Sequence, residues 1–247
     1  MRIRYLSDLH LEFIDPHKIH NFIHKNIRPG LDEICVLAGD VGNPWEANYD
    51  AMMRFANANF KHTFVIPGNH EYYKHTISGA NQYMANYFEQ FANITFLNNS
   101  HAYYDNHCFI GTTLWSHISD PTHKINDVHR IADFNCQQYN ELHRGCREYL
   151  EDTVKKNSNC IVLTHHLPMS RLTDAKYKTP QMEPYHQWFS CDLDEFIGQY
   201  QDNIKLWIYG HTHTPSNVVM YNIPFLCNPI GYPNENLRNH FNKYHDI

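Results

Sequence analysis

Residues 33–40, EICVLAGD, read as a buried strand that stops at Gly39 and delivers a carboxylate, Asp40, at its end. A continuous apolar run of this length, bounded by turn residues, is the pattern of a strand covered on both faces. The same grammar recurs outward in both directions. Residues 3–6 lead into SDLH, 63–66 (TFVI) into PGNHE, 161–164 (IVLT) into a His pair, and 206–209 (LWIY) into GHTH. Each strand ends on polar side chains of metal-binding type, the way open α/β sheets gather a site at their C-terminal strand edges. The fold class is therefore α/β.

Helices fill the intervals. Asn43-Pro44-Trp45-Glu46 reads as an N-cap, a first-turn proline and a capping-box Glu, opening a helix towards Phe60. Helical spacing also marks residues 81–91 and 137–154, and Asp192 with Glu195 reads as a further capping box. Residues 94–115 read as successive strands and 217–227 as a pair turning at Asn222, which suggests antiparallel additions to a mixed sheet and two stacked sheets. No repeat or linker divides the chain, so residues 1–247 are expected to form a single domain.

The chain carries 20 Lys and Arg against 26 Asp and Glu, a net charge of −6. That balance argues against tight, sequence-independent binding of long nucleic acid, which needs many basic phosphate contacts. The seven cysteines have no CxxC pair, and Cys35 and Cys160 fall inside strand runs as small core residues. MRIRYLSDLHLEF has no long apolar stretch and runs straight into a ligand motif, so no signal peptide, no membrane span and a cytoplasmic location are expected. The 20 histidines demand caution, because about one or two HxH pairs arise by chance at such a frequency. His17, His20 and His24 are read as surface residues.

Seven side chains stand out as metal ligands: Asp8, His10, Asp40, Asn69, His165, His211 and His213. Asp8 and His10, two apart, are expected to point the same way from extended backbone. Asp40 has two oxygens and can bridge two cations. Asn69 offers a neutral carbonyl oxygen, and this sets the charge. Two divalent ions, two aspartates and one hydroxide sum to about +1, which still attracts a phosphate. Asp8, His10, Asp40 and His213 can hold one ion, and Asp40, Asn69, His165 and His211 the other, as in sites whose ions about 3.5–4 Å apart clamp an in-line displacement. The mixed oxygen and nitrogen donors accept manganese, iron, zinc or cobalt. His70, beside a ligand, suits a general acid or a donor to a phosphoryl oxygen. Glu71 is expected to orient neighbouring imidazoles, and His166 to face substrate or support the ligands. Gly210 is expected to let the backbone turn closely.

In this order and at these intervals, DLH, GD, GNHE, THH and GHTH resemble the calcineurin-like metallophosphoesterase family, from Met1 to about Pro233. The segments around Trp115, Asp127 and Asn228 also resemble an uncharacterised bacterial branch of that family. The resemblance implies a four-layer α/β/β/α sandwich, a bridging Asp40 and a catalytic His70. It also implies a hydroxide shared by the ions that attacks phosphorus in line. Protein serine/threonine phosphatases and dinucleoside-tetraphosphate hydrolases of the family carry an Arg soon after GD, whereas this chain reads GDVGNPW. A small phosphomonoester or phosphodiester is therefore the expected substrate. The alternatives are a non-enzymatic metal-binding scaffold and a nuclease acting on nucleic-acid ends. Arg130 and Arg171 are candidate phosphate partners, each with a surface ion pair as its simpler role. The aromatic stretch 177–189 is a candidate lid, with a packed surface loop as the alternative.

Overall fold

A computed structural model describes residues 1–235 and 241–247. Two mixed sheets lie face to face. In the first, β1 (Arg2–Leu6), β2 (Gly30–Ala38), β3 (Phe60–Ile66) and β4 (Ile94–Phe96) run parallel, and β11 (Tyr244–Asp246) adds antiparallel to β1. In the second, β6 (His107–Thr112), β7 (Cys160–Thr164), β8 (Ile204–Tyr209) and β10 (Ile223–Cys227) run parallel. Its antiparallel edges are β5 (Ser100–Tyr104) and β9 (Ser216–Met220).

Alternation along each strand divides the apolar residues between two cores. Ile34, Val36 and Ala38 point inward with Phe64, Phe109, Ile161, Leu163 and Ile208, forming the layer between the sheets. Phe64 and Phe109 stack across it at 4.0 Å and 10°. Cys35, Leu37, Val65, Val162 and Trp207 point outward against helices. The helices are α1 (Ile19–Asn26), α2 (Ala47–Asn59), α3 (Ile77–Phe88), α4 (Asn126–Arg130), α5 (Cys136–Lys156) and α6 (Asp194–Gln199). The result is the expected sandwich of two sheets flanked by helices. Both faces of the central strands are covered, which explains their unbroken apolar runs.

Several local expectations change. The side chain of Asn43 accepts from Trp45 N at 3.0 Å in a local turn, and α2 begins only at Ala47. The interaction foreseen for an N-cap is present, but the chain does not continue helically from it. α3 starts at Ile77 rather than 81, because Thr76 caps it by accepting from Gly79 N. Asp192 does not cap α6, whose N-cap is Leu193 without a side-chain bond. The strands read in 94–115 divide between the sheets: β4 joins the first in parallel, and β5 and β6 open the second. α4 and β11 carried no strong pattern in sequence. His17, His20 and His24 are exposed as expected, and all seven cysteines are free thiols.

Candidate metal centre

The strand ends of both sheets converge on one spot. Gly210 N donates to His165 O within the second sheet, and His165 Nδ1 donates to Ala38 O at 2.9 Å, joining the second sheet to the first. A Cβ at Gly210 would stand 2.9 Å from both Ala38 O and the Ser7 Cβ, so the close turn expected of this glycine is real. Gly39, at φ +82°, is equally constrained, since a Cβ there would collide with the His165 ring.

Asp8 and His10 do not lie on extended backbone. β1 ends at Leu6, and both residues have positive φ, 52° and 47°. Asp40 (52°), His211 (67°) and His213 (45°) share that conformation. Left-handed backbone costs a side-chain-bearing residue roughly 1–2 kcal/mol, and such strain clusters at functional sites. Here it is held by main-chain bonds between the loops: Asp8 N to Gly39 O and His10 N to Asp40 O, each 3.0 Å.

The structure brings all seven candidate ligands together. The donor atoms of Asp8, His10 and His213 lie within 4.8 Å of one another, as do those of Asp40, His165 and His211. Asn69 Oδ1 is 3.1 Å from His165 Nε2. Asp40 Oδ1 is taken by the His70 backbone amide at 2.9 Å. The oxygen left to face both groups is Oδ2, 3.3 Å from His165 Nε2 and 3.9 Å from His10 Nε2. His70 Nε2 lies at the same 3.9 Å from it.

The hydrogen-bond pattern leaves a ring nitrogen for a cation at each group. Glu12 Oε1 accepts from His10 Nδ1 (3.2 Å), Glu235 Oε2 from His213 Nδ1 (2.6 Å) and Ala38 O from His165 Nδ1. Carboxylates and carbonyls only accept, so each Nδ1 carries a hydrogen and Nε2 is the atom left for a cation or a second proton. Against burial, Asp40 pushes His165 up to about 9, and Asp8 with Glu235 pushes His213 up to about 10, so a metal binding there would displace a proton. His10 Nε2 and His213 Nε2 face each other at 3.0 Å, close enough for one cation to take both in place of a shared proton. His211 Nε2 is buried with no hydrogen-bond partner. Burial, and then the neighbouring imidazoles, hold His211 well below the usual histidine range, in the neutral form a metal requires. Burial alone would raise the Asp40 carboxyl, but His165 and His70 hold it well below the ordinary carboxylate range.

Glu71 does something other than orient imidazoles. Its carboxylate accepts four backbone amides: Gly68 (2.7 Å), Asp40 (3.0 Å), Val41 (2.8 Å) and Gly42 (3.3 Å). It thus fastens the Asp40 loop to the Asn69 loop, while burial and the Asp40 charge push its own carboxyl up to about 7. The imidazole-orienting role falls to Glu12, which also accepts from His70 Nδ1 at 2.8 Å. Asp127 orients Asn69, accepting from its Nδ2 at 2.8 Å and from Tyr73 OH at 2.7 Å. His166 is fully buried and faces no substrate: Nδ1 donates to Thr113 O, and Nε2 accepts from Tyr139 OH.

A cavity of about 320 Å³ opens over Asp40, Asn69, His70, His211 and His213. The stretch 177–189 supplies Tyr177, Met182, His186 and Phe189 to its wall, while Trp188 is fully buried and anchors the segment. No Lys or Arg is among the described residues lining it. Arg130 is exposed, 5.7 Å from the Tyr73 ring, and Arg171 pairs with Asp194 and Tyr221 at the surface.

Fold and site together define a metal-dependent phosphoesterase. The chain belongs to the calcineurin-like phosphoesterase family, whose family model matches residues 1–215. It is similar to Uncharacterized protein L509 of Acanthamoeba polyphaga mimivirus, 31% identical in an alignment that covers 99% of this chain and 95% of that one. Among solved structures it shares the fold of the phosphopantetheinyl hydrolase PptH from Mycobacterium tuberculosis. The TM-score is 0.73 at 15% identity, across 96% of this chain and 92% of that one.

Proposed function

We propose that this phosphoesterase hydrolyses small phosphate esters at a two-ion centre. Asp8, His10, Asp40 and His213 would hold one ion, and Asp40, Asn69, His165 and His211 the other. The observation that carries this is the position of Asp40 Oδ2, which faces His165 on one side and His10 on the other. Manganese, iron, zinc or cobalt suits the donors. When bound, such ions supply hydroxide near neutral pH and neutralise charge on phosphoryl oxygens.

The chain's own residues do the rest. Glu12 fixes His70 with its Nδ1 hydrogen inward and Nε2 towards the cavity. Protonated at Nε2, His70 gives that proton to the leaving oxygen as the P–O bond breaks. Asp40 and Asn69 stay oriented through the His70 amide and Asp127.

The cavity volume, the absence of Lys and Arg among its described lining residues and the net charge of −6 favour a small substrate over a nucleic-acid chain. No described helix is long and apolar enough to cross a membrane. Seven free thiols support a reducing, cytoplasmic setting, and the continuous inter-sheet core supports action as a single domain. The experiment is hydrolysis of bis(p-nitrophenyl) phosphate and p-nitrophenyl phosphate by manganese-loaded protein beside His70→Ala. A phosphopantetheinyl ester, the group in the name of the M. tuberculosis neighbour, belongs in the same screen. Turnover should fall about 10²-fold or more in the variant with metal retained. Metal-loaded protein that hydrolyses none of these esters would favour a binding scaffold.

A further inference from the structure

Tyr232 lies over the cavity, against three of the candidate site's histidines. Its ring stacks on His10 at 4.3 Å and 26° and lies 4.8 Å from His213. Its hydroxyl stands 3.3 Å from His70 Nε2, the ring nitrogen turned towards the cavity. The hydroxyl is therefore next to the oxygen that His70 would protonate.

The position is built into the metal centre. Tyr232 N donates to Glu235 Oε2 at 2.8 Å, and the same oxygen accepts from His213 Nδ1. Gly231 N donates to Asp8 O at 2.8 Å, tying the segment to a second candidate ligand. Two other donors over the cavity, Asn69 Nδ2 and Tyr73 OH, both serve Asp127. With His70 protonated at Nε2 and its hydrogen towards the Tyr232 oxygen, the phenol hydrogen is left for a phosphoryl oxygen, and no Lys or Arg is among the described residues of the lining.

A phenol supplies a hydrogen bond without charge, and that selects among anions. A phosphomonoester carries close to two negative charges at neutral pH, because its second ionisation lies near 6, whereas a diester carries one. Asp127 and Glu235, carboxylates outside the ligand set, also line the cavity and penalise the second charge. Ile125, Leu167, Met182 and Phe189 offer apolar wall to an organic arm. The geometry points to Tyr232 as a residue that contacts the phosphoryl group, in a site that takes monoanionic phosphodiesters with an apolar or aromatic arm in preference to monoesters. This rests on the phosphoesterase reading above and adds the substrate class.

The test compares wild type with Tyr232→Phe, both loaded with manganese, on bis(p-nitrophenyl) phosphate and p-nitrophenyl phosphate, with metal content measured by elemental analysis. The wild type should favour the diester by at least about 10-fold. The variant should keep its metal and lose about 10²-fold in kcat/KM on the diester, the scale of one lost donor to developing charge. Undiminished kcat/KM, or loss of metal from the variant, would show that the ring only packs on the ligands and overturn the assignment. A wild type that prefers the monoester would overturn the selectivity. A wild type that cleaves neither ester would sink the underlying reading, whereas an active wild type with an unaffected variant sinks only the role of Tyr232.

Discussion

Glu12 Oε1 is shared between a candidate metal ligand and the candidate acid, accepting from His10 Nδ1 at 3.2 Å and from His70 Nδ1 at 2.8 Å. Burial alone would raise this carboxyl, but the two imidazoles hold it down at about 2, so it stays ionised at any working pH. Removing it frees both rings at once. Glu12→Ala should weaken binding of the ion held with His10, and lower turnover, by about 10–100-fold each. Glu12→Gln, which keeps the shared oxygen, should lose less. Chelator competition and kcat on a nitrophenyl diester measure both effects; wild-type values in the Ala variant would remove Glu12 from the site's design.

Asp127 does for Asn69 what Glu12 does for the imidazoles. By accepting from Nδ2 it leaves Oδ1 towards His165. Asp127→Ala should release that side chain and weaken the ion on the Asn69 side by about 10-fold or more. Elemental analysis after dialysis against limiting chelator should then find close to one equivalent of metal per chain. A variant that keeps its full metal complement would show that Asn69 needs no such support.

These two residues also mark where the sequence stops being legible. The ligands could be read because each follows an apolar strand and has the right donor chemistry, and the register of β1, β2 and β3 does bring those strand ends side by side. Their backbone could not be read. Asp8 and His10 look like an extended pair, and only the bonds to Gly39 O and Asp40 O show how left-handed residues are held there. Glu12, Asp127, Tyr232 and Glu235 carry no local motif, because their partners come from segments that only the fold brings near. Glu71 sat inside a legible motif yet its role was misread, since an acceptor for four backbone amides is defined by two loops meeting. The strand propensity of 94–96 likewise could not say which sheet would take it.

His166 predicts a pH dependence of stability. Burial first, then the adjacent His165, pushes its pKa down to about 3. The unfolded chain takes up a proton near 6.5 while the folded chain does not, so folding stability falls as pH drops from about 6.5 towards 3. The slope approaches about 1.4 kcal/mol per pH unit. Above pH 6.5 this group contributes no dependence. Urea unfolding of His166→Phe should show a correspondingly flatter acid limb than wild type; equal slopes would mean that His166 accepts a proton in the folded protein.

Turnover at the proposed centre requires two ions joined through Asp40. Its most direct measurement is hydrolysis of bis(p-nitrophenyl) phosphate while metal-stripped protein is titrated with manganese, with bound metal counted at each point. Activity should be absent from the stripped protein and saturate at two equivalents per chain, and Asp40→Asn should bind neither ion tightly and stay inactive. Full activity at one equivalent, or an Asp40→Asn variant that keeps both ions and its rate, would contradict it.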